Sequence, residues 1–323
     1  MANLFEYATK ELSQDAFLRW LFESYRDDDE DVSACAKKLL IEFCHLKGKK
    51  DITGLVTTAQ SGKIDIIVDF QYGDEDISLY IEDKTFSEEH SKQLKKYNSY
   101  IEKRNDSKKY RVFYKTSELS EHDKLVTESE GWIPYNIYEI YSLYDEFKNS
   151  KNIILKQYID YIFEVKNACS NKEKPNSSNT KIDLIKWVSY FNYIFKDKID
   201  PKYTRQECDV TKYSYVYFAV GKKEKMPYIE MRSRDNCTDT FCVRLLCYDV
   251  ENFQPQQKVI EFIKSGKTEF KAKNITSRNG KLAKQIGIYS KKGIDTDEKV
   301  VAEFKKCLEE YKKIMNIWEN NNL

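Results

Sequence analysis

The sequence predicts an α/β fold with a mixed sheet covered on both faces in its first half, followed by a smaller α+β domain. Three observations carry that reading. Three strand-like runs between residues 53 and 83 are separated only by the turns Ser61-Gly62 and Gly73-Asp74; strands and helices alternate from 88 to 166; and a polar stretch, 168–180, has no large apolar residue. With 323 residues, 41% hydrophobic and 33% charged, the chain is long enough to bury two cores. The expected domains are 1–167 and 181–323, joined by a linker at 168–180.

Each element follows from its local pattern. Phe17, Leu18, Leu21 and Phe22 recur at helical spacing after Ser13, which predicts a helix over 13–25. After an acidic turn at 27–31, Leu39, Leu40, Phe43 and Leu46 repeat the pattern over 32–46. The runs 53–59, 63–71 and 76–83 read as strands, and their short links predict antiparallel pairing. Helices are then expected over 88–104, 120–130, 137–147 and 151–166, with strands at 110–115 and 132–135. Beyond the polar stretch, helices are expected over 181–196, 253–264 and 296–318, with strands at 213–220, 227–232 and 241–249.

Composition excludes several classes of function. No apolar run approaches the ~20 residues that cross a bilayer. The start of the sequence lacks the basic, apolar and small-residue zones of a secretory signal, so a cytoplasmic protein is expected. The eight cysteines form no CxxC pair and have no histidine at ligand spacing, which argues against a zinc site or a disulfide framework. Net charge is only +1, but it is unevenly distributed. Residues 1–91 carry 20 acidic against 10 basic side chains, whereas 92–115 carry 9 basic residues against Glu102 and Asp106, and 264–292 carry 9 against Glu269. Both stretches suit phosphate, and both equally suit a merely solvated surface.

The run 77–81 is apolar, yet it closes on Glu82, Asp83 and Lys84. In a strand, Glu82 and Lys84 share one face and Asp83 takes the other. Asp65 is likewise embedded in Ile64, Ile66, Ile67 and Val68, where an uncompensated charge would cost several kcal/mol. If the two strands are neighbours, Asp65 and Glu82 meet with Lys84 beside them. Two converging carboxylates are hard oxygen ligands for Mg²⁺, and an adjacent lysine can orient a water or stabilise charge on a phosphate. A buried salt bridge that only fixes the sheet accounts for the same spacing.

Asp65 followed 17 residues later by Glu82-Asp83-Lys84 at a strand end, with a helix after it, resembles the PD-(D/E)xK nuclease superfamily; Ile64 stands where the eponymous proline would be. Gln93 and Tyr97 in the following helix match the Q-x-x-x-Y element of its RecB-type branch. The opening from Glu11 to Leu21 is similar to the first helix of an uncharacterised bacterial branch. The resemblance implies a three-layer restriction-endonuclease-like core and a Mg²⁺- or Mn²⁺-dependent phosphodiester hydrolase. In it Asp65 and Glu82 bind metal, Asp83 adds its carbonyl, Glu11 faces the metal, and Lys84 positions the attacking water. It covers about residues 1–165.

Gln and Tyr four apart lie on one helical face and can hold a nucleotide strand, and Lys92, Lys95 and Lys96 on the same helix can hold phosphate. DNA is the favoured partner, in bacterial defence or repair, with a homodimer suited to cutting both strands and residues 181–323 available to bind substrate or a partner protein. The alternative is a catalytically inactive binding module on the same fold.

Overall fold

The computed structural model describes residues 3–7, 11–85, 92–104, 108–195, 209–210, 216–221, 226–247, 253–275 and 284–321. The chain forms two compact units, Met1–Cys169 and Ser170–Leu323. In the first, helices α1 (Leu4–Tyr7), α2 (Glu11–Glu23) and α3 (Glu30–Phe43) precede strands β1 (Ile52–Ser61), β2 (Ile64–Tyr72) and β3 (Glu75–Lys84). Helix α4 (Gln93–Ile101), β4 (Lys108–Lys115), α5 (Glu121–Glu130), β5 (Ile133–Tyr135), α6 (Ile137–Tyr144) and α7 (Ile153–Cys169) follow.

Local chemistry explains the boundaries. Asp29 caps α3 by accepting from the Val32 N–H at 3.2 Å. Ser120 with Asp123, and Asn136 with Glu139, form capping boxes at the starts of α5 and α6, and Gly131 closes α5 at φ +69°. Tyr100 lies over the β1–β2 turn, where Gly62 sits at φ +62° and a Cβ would meet the tyrosine ring at 2.6 Å. The Tyr100 hydroxyl is 2.8 Å from Ser61 Oγ, which ties α4 to that hairpin.

The five strands lie in the order β1-β2-β3-β4-β5. The first three pair antiparallel and β3-β4-β5 pair parallel, giving the expected mixed sheet. Alternation along the strands separates two cores. Ile67, Tyr80 and Phe113 pack with Leu94, Tyr97 and Ile101 of α4 and with Trp132. On the opposite face Tyr114 meets Phe43 edge-on, and its hydroxyl lies 2.9 Å from that of Tyr158, against which Phe17 stacks at 3.7 Å. The result is a helix–sheet–helix core of restriction-endonuclease type.

In the second unit α8 (Lys181–Phe195), β6 (Asp209–Val210), β7 (Val216–Val220), β8 (Pro227–Arg232), β9 (Phe241–Cys247), α9 (Phe253–Lys264), β10 (Lys271–Ile275), β11 (Lys284–Lys291) and α10 (Asp297–Glu319) succeed one another. The strands form an antiparallel sheet in the order β10-β11-β9-β8-β7-β6. Trp187, Phe191, Phe195, Phe304 and Trp318 close its core against Phe218, Ile229 and Val243. The polar segment 170–180 lacks regular structure but is bonded to this unit: Trp187 Nε1 donates to the Ser177 carbonyl at 2.9 Å, and Lys174 Nζ to that of Thr238 at 2.7 Å.

Two differences from the sequence reading stand out. The basic stretch 264–292 contains β10 and β11, which escaped the pattern because neither alternates: Lys271, Ala272 and Lys273 are all exposed, and Gln285 to Tyr289 are buried or half-buried in succession. The helix expected over 88–104 is described only as Gln93–Ile101, and 88–91 lie outside the described residues. Among the described residues no helix is long and apolar enough to cross a membrane.

Candidate active site

The β2–β3 register, Ile67 to Tyr80 and Ile66 to Ile81, brings Asp65 beside Glu82 at the next step. Asp65 Oδ2 accepts from the backbone N–H of Asp83 at 2.9 Å. Lys84 Nζ donates to Glu82 Oε1 and, at 3.2 Å, to the Asp83 carbonyl. The alternation expected from sequence holds, with Glu82 and Lys84 on one face and the Asp83 carboxylate on the other. Glu82 is fully buried and Lys84 only 6% exposed, while Asp65 is half-buried.

A salt bridge alone does not explain this cluster, because two carboxyl groups converge on one ammonium and one of them is fully buried. Burial pushes the Glu82 carboxyl up to about 9, and the charge of Asp65 adds to the rise while Lys84 opposes it. Its Oε2 is buried without a hydrogen-bond partner. A second positive charge at that oxygen would relieve both effects, so the donor set fits a hard divalent cation held by Asp65 and Glu82. No cluster of three or more His, Cys, Asp or Glu side chains suited to metal occurs among the described residues, so the protein would supply two carboxylates and leave other positions to water and substrate oxygen. Asp83 can add only its carbonyl on this face. Glu11 opens α2, and its side chain lies outside the described residues.

Helix α4 brings its own pair to this point. Gln93 Nε2 donates to the Tyr97 hydroxyl. Burial raises the Tyr97 hydroxyl well above the ordinary tyrosine range, and the charges of Glu82 and Asp65 add to the rise, so the ring reaches the carboxylates electrostatically. Leu94, Tyr97 and Ile101 face the sheet, which turns Lys92, Lys95 and Lys96 to solvent. Of the rest of the basic stretch, Lys103 is exposed and the other five residues have structural work. Arg104 pairs with Asp69 at 3.0 Å, Lys108 with Glu75 and Arg111 with Glu102; Lys109 Nζ donates to the carbonyls of Ile101 and Arg104 at 2.8 Å, at the end of α4. Lys115, the parallel neighbour of Lys84, forms a buried pair with Asp123 at 2.6 Å.

Sequence reasoning missed what lies behind the strand end. Gln14 of α2 donates through Nε2 to Asp83 Oδ1, and its Oε1 accepts from Thr116 Oγ1 at 2.9 Å. The backbone N–H of Thr116 donates to the Lys84 carbonyl at 3.0 Å. A signal was present: Gln14 precedes Phe17, Leu18 and Leu21 by three, four and seven residues and so lies in the apolar stripe of its helix. Asp15 is also buried, in the second turn of a helix that begins at Glu11.

A family model described as the PD-(D/E)XK nuclease superfamily matches residues 1–182. No curated protein and no solved structure matches the chain.

Proposed function

The chain belongs to the PD-(D/E)XK nuclease superfamily, and from that premise we propose that it is a divalent-metal-dependent phosphodiesterase acting on DNA through Asp65, Glu82 and Lys84. The observation that carries the reading is the convergence at the end of β3: two carboxyl groups, one of them fully buried and pushed up to about 9, beside a lysine already held in place.

Asp65 and Glu82 would hold the cation, Mg²⁺ or Mn²⁺, with the Asp83 carbonyl alongside. When bound, the metal lowers the pKa of a coordinated water and offsets charge building on the phosphate. Lys84 is oriented by Glu82 and the Asp83 carbonyl, and it donates a hydrogen bond to the attacking water or to a non-bridging phosphate oxygen. The water oxygen bonds to phosphorus as the bond to the 3′ oxygen breaks; the water releases a proton to solvent and the departing oxygen takes one up, leaving a 5′-phosphate and a 3′-hydroxyl. Gln93 and Tyr97 border the site from α4, and Lys92, Lys95 and Lys96 on the solvent side of that helix attract the phosphate backbone.

The test is cleavage of single- and double-stranded DNA and of RNA by wild type and Asp65→Asn, with Mg²⁺, Mn²⁺ or EDTA. Metal-dependent products carrying 5′-phosphates, absent with the variant, support the reading and select the substrate. Failure to cut any of them, with wild type and variant binding DNA alike, replaces it with an inactive binding module.

A further inference from the structure

We propose that Gln14 is a positioning residue for this site, acting from the opposite side of the sheet by holding Asp83; the inference rests on the nuclease reading above. Asp83 is the middle residue of Glu82-Asp83-Lys84, and its backbone serves both reacting sides of the motif through the two peptide units that flank it. Its N–H donates to Asp65 Oδ2 at 2.9 Å, and its carbonyl accepts from Lys84 Nζ at 3.2 Å. A shift of this one residue's backbone therefore displaces a carboxylate and the lysine together.

The Asp83 side chain points to the far face and is fully buried. It lies close enough to the tyrosine cluster there for its charge to raise the hydroxyls of Tyr114, Tyr144 and Tyr158 beyond the larger effect of burial. Gln14, itself 5% exposed, donates to that carboxylate, a charge-assisted bond in a site of low dielectric. Its remaining amide oxygen is taken by Thr116 Oγ1, which fixes the amide's orientation so that the NH₂ group faces Asp83. Thr116 in turn bonds the Lys84 carbonyl through its N–H. The loop is closed: from Asp83 to Gln14, to Thr116, to Lys84, and back to the Asp83 carbonyl.

Helix α2 and the end of β4 thereby grip both ends of the Asp83-Lys84 segment. A leucine at position 14 would continue the stripe of Phe17, Leu18 and Leu21, so burial of an amide there is unexplained by packing alone. Supporting partners of this kind typically change metal affinity or activity about 10–100-fold when removed.

The experiment measures Mn²⁺ affinity by electron paramagnetic resonance, and kcat and KM on DNA, for wild type, Gln14→Leu, Thr116→Val and Thr116→Ser, each checked for folding by circular dichroism in EDTA. Gln14→Leu is expected to weaken Mn²⁺ binding about tenfold or more and to lower kcat with KM little changed. Thr116→Val shows a smaller loss in the same direction, which Thr116→Ser restores by keeping the donor. Should Gln14→Leu not fold, the Val and Ser pair at 116 decides. Wild-type affinity and kcat in a folded Gln14→Leu, or equal behaviour of Val and Ser at 116, overturns the inference while leaving the nuclease reading intact. Mn²⁺ binding that weakens as stated, in a protein that cuts nothing, overturns the nuclease reading alone. A wild type that binds no Mn²⁺ overturns both.

Discussion

Metal binding and folding should both depend on pH through Glu82. Burial, with Asp65 adding, pushes its carboxyl up to about 9, against about 4.5 in an unfolded chain. At pH 7 the metal-free carboxyl is then mostly protonated, and a cation entering beside Asp65 must expel up to one proton. Affinity is therefore predicted to climb about tenfold per pH unit between pH 6 and 8. Stability without metal runs the other way. A folded-state pKa above the unfolded value gives a contribution that is complete below about pH 4.5 and is lost as pH rises through about 9. The slope is at most about 1.4 kcal/mol per pH unit. Glu82→Gln, isosteric and neutral, removes that slope. Urea unfolding in EDTA at pH 6, 7 and 8 tests the difference between wild type and variant, and Mn²⁺ calorimetry in buffers of unlike ionisation enthalpy counts the proton. Parallel stability curves, together with Mn²⁺ binding that releases no proton, would refute the argument.

Replacing Lys92, Lys95 and Lys96 together by Ala should flatten the dependence of log DNA affinity on log salt by up to about 2.7, since each phosphate contact on duplex DNA contributes about 0.9; an unchanged slope in a filter-binding titration removes these lysines from the interface. Lys115→Met leaves the Asp123 carboxylate buried without its ammonium and should cost about 3–5 kcal/mol of unfolding free energy. The double change with Asp123→Asn should recover most of that loss, and a stable single variant would contradict the buried-pair account.

Much of the first unit was legible because its signals are local. Gly62 and Gly73 mark turns that leave room for little except hairpins, and a charged tripeptide at the end of an apolar run identifies the strand end that carries the site. The faces of Glu82, Asp83 and Lys84 followed from a two-residue period alone. What escaped depends on partners far along the chain. Gln14 and Thr116 are 102 residues apart, and nothing local says that their side chains meet. The nine basic residues of 92–115 look like one surface in sequence, yet in space Arg104, Lys108, Lys109, Arg111 and Lys115 are engaged with particular carboxylates or carbonyls, which leaves α4 as the positive face. Strands β10 and β11 were hidden because neither carries a two-residue period: β10 is exposed at three successive positions, 271–273, and β11 is buried or half-buried at five, 285–289.

The central claim is that the lysine ending β3 does chemistry rather than merely neutralising Glu82, and Lys84→Ala tests it most directly. The measurement is single-turnover cleavage of a 5′-labelled DNA with Mg²⁺, with Mn²⁺ and with EDTA, by wild type and variant, alongside DNA affinity and thermal stability. The predicted result is metal-dependent cutting by wild type that falls by about 10²–10³ in the variant, as for loss of a group aimed at transition-state charge, with DNA affinity within a few-fold. Cutting by a folded Lys84→Ala at the wild-type rate would contradict the account and return the ammonium to a structural partner of Glu82.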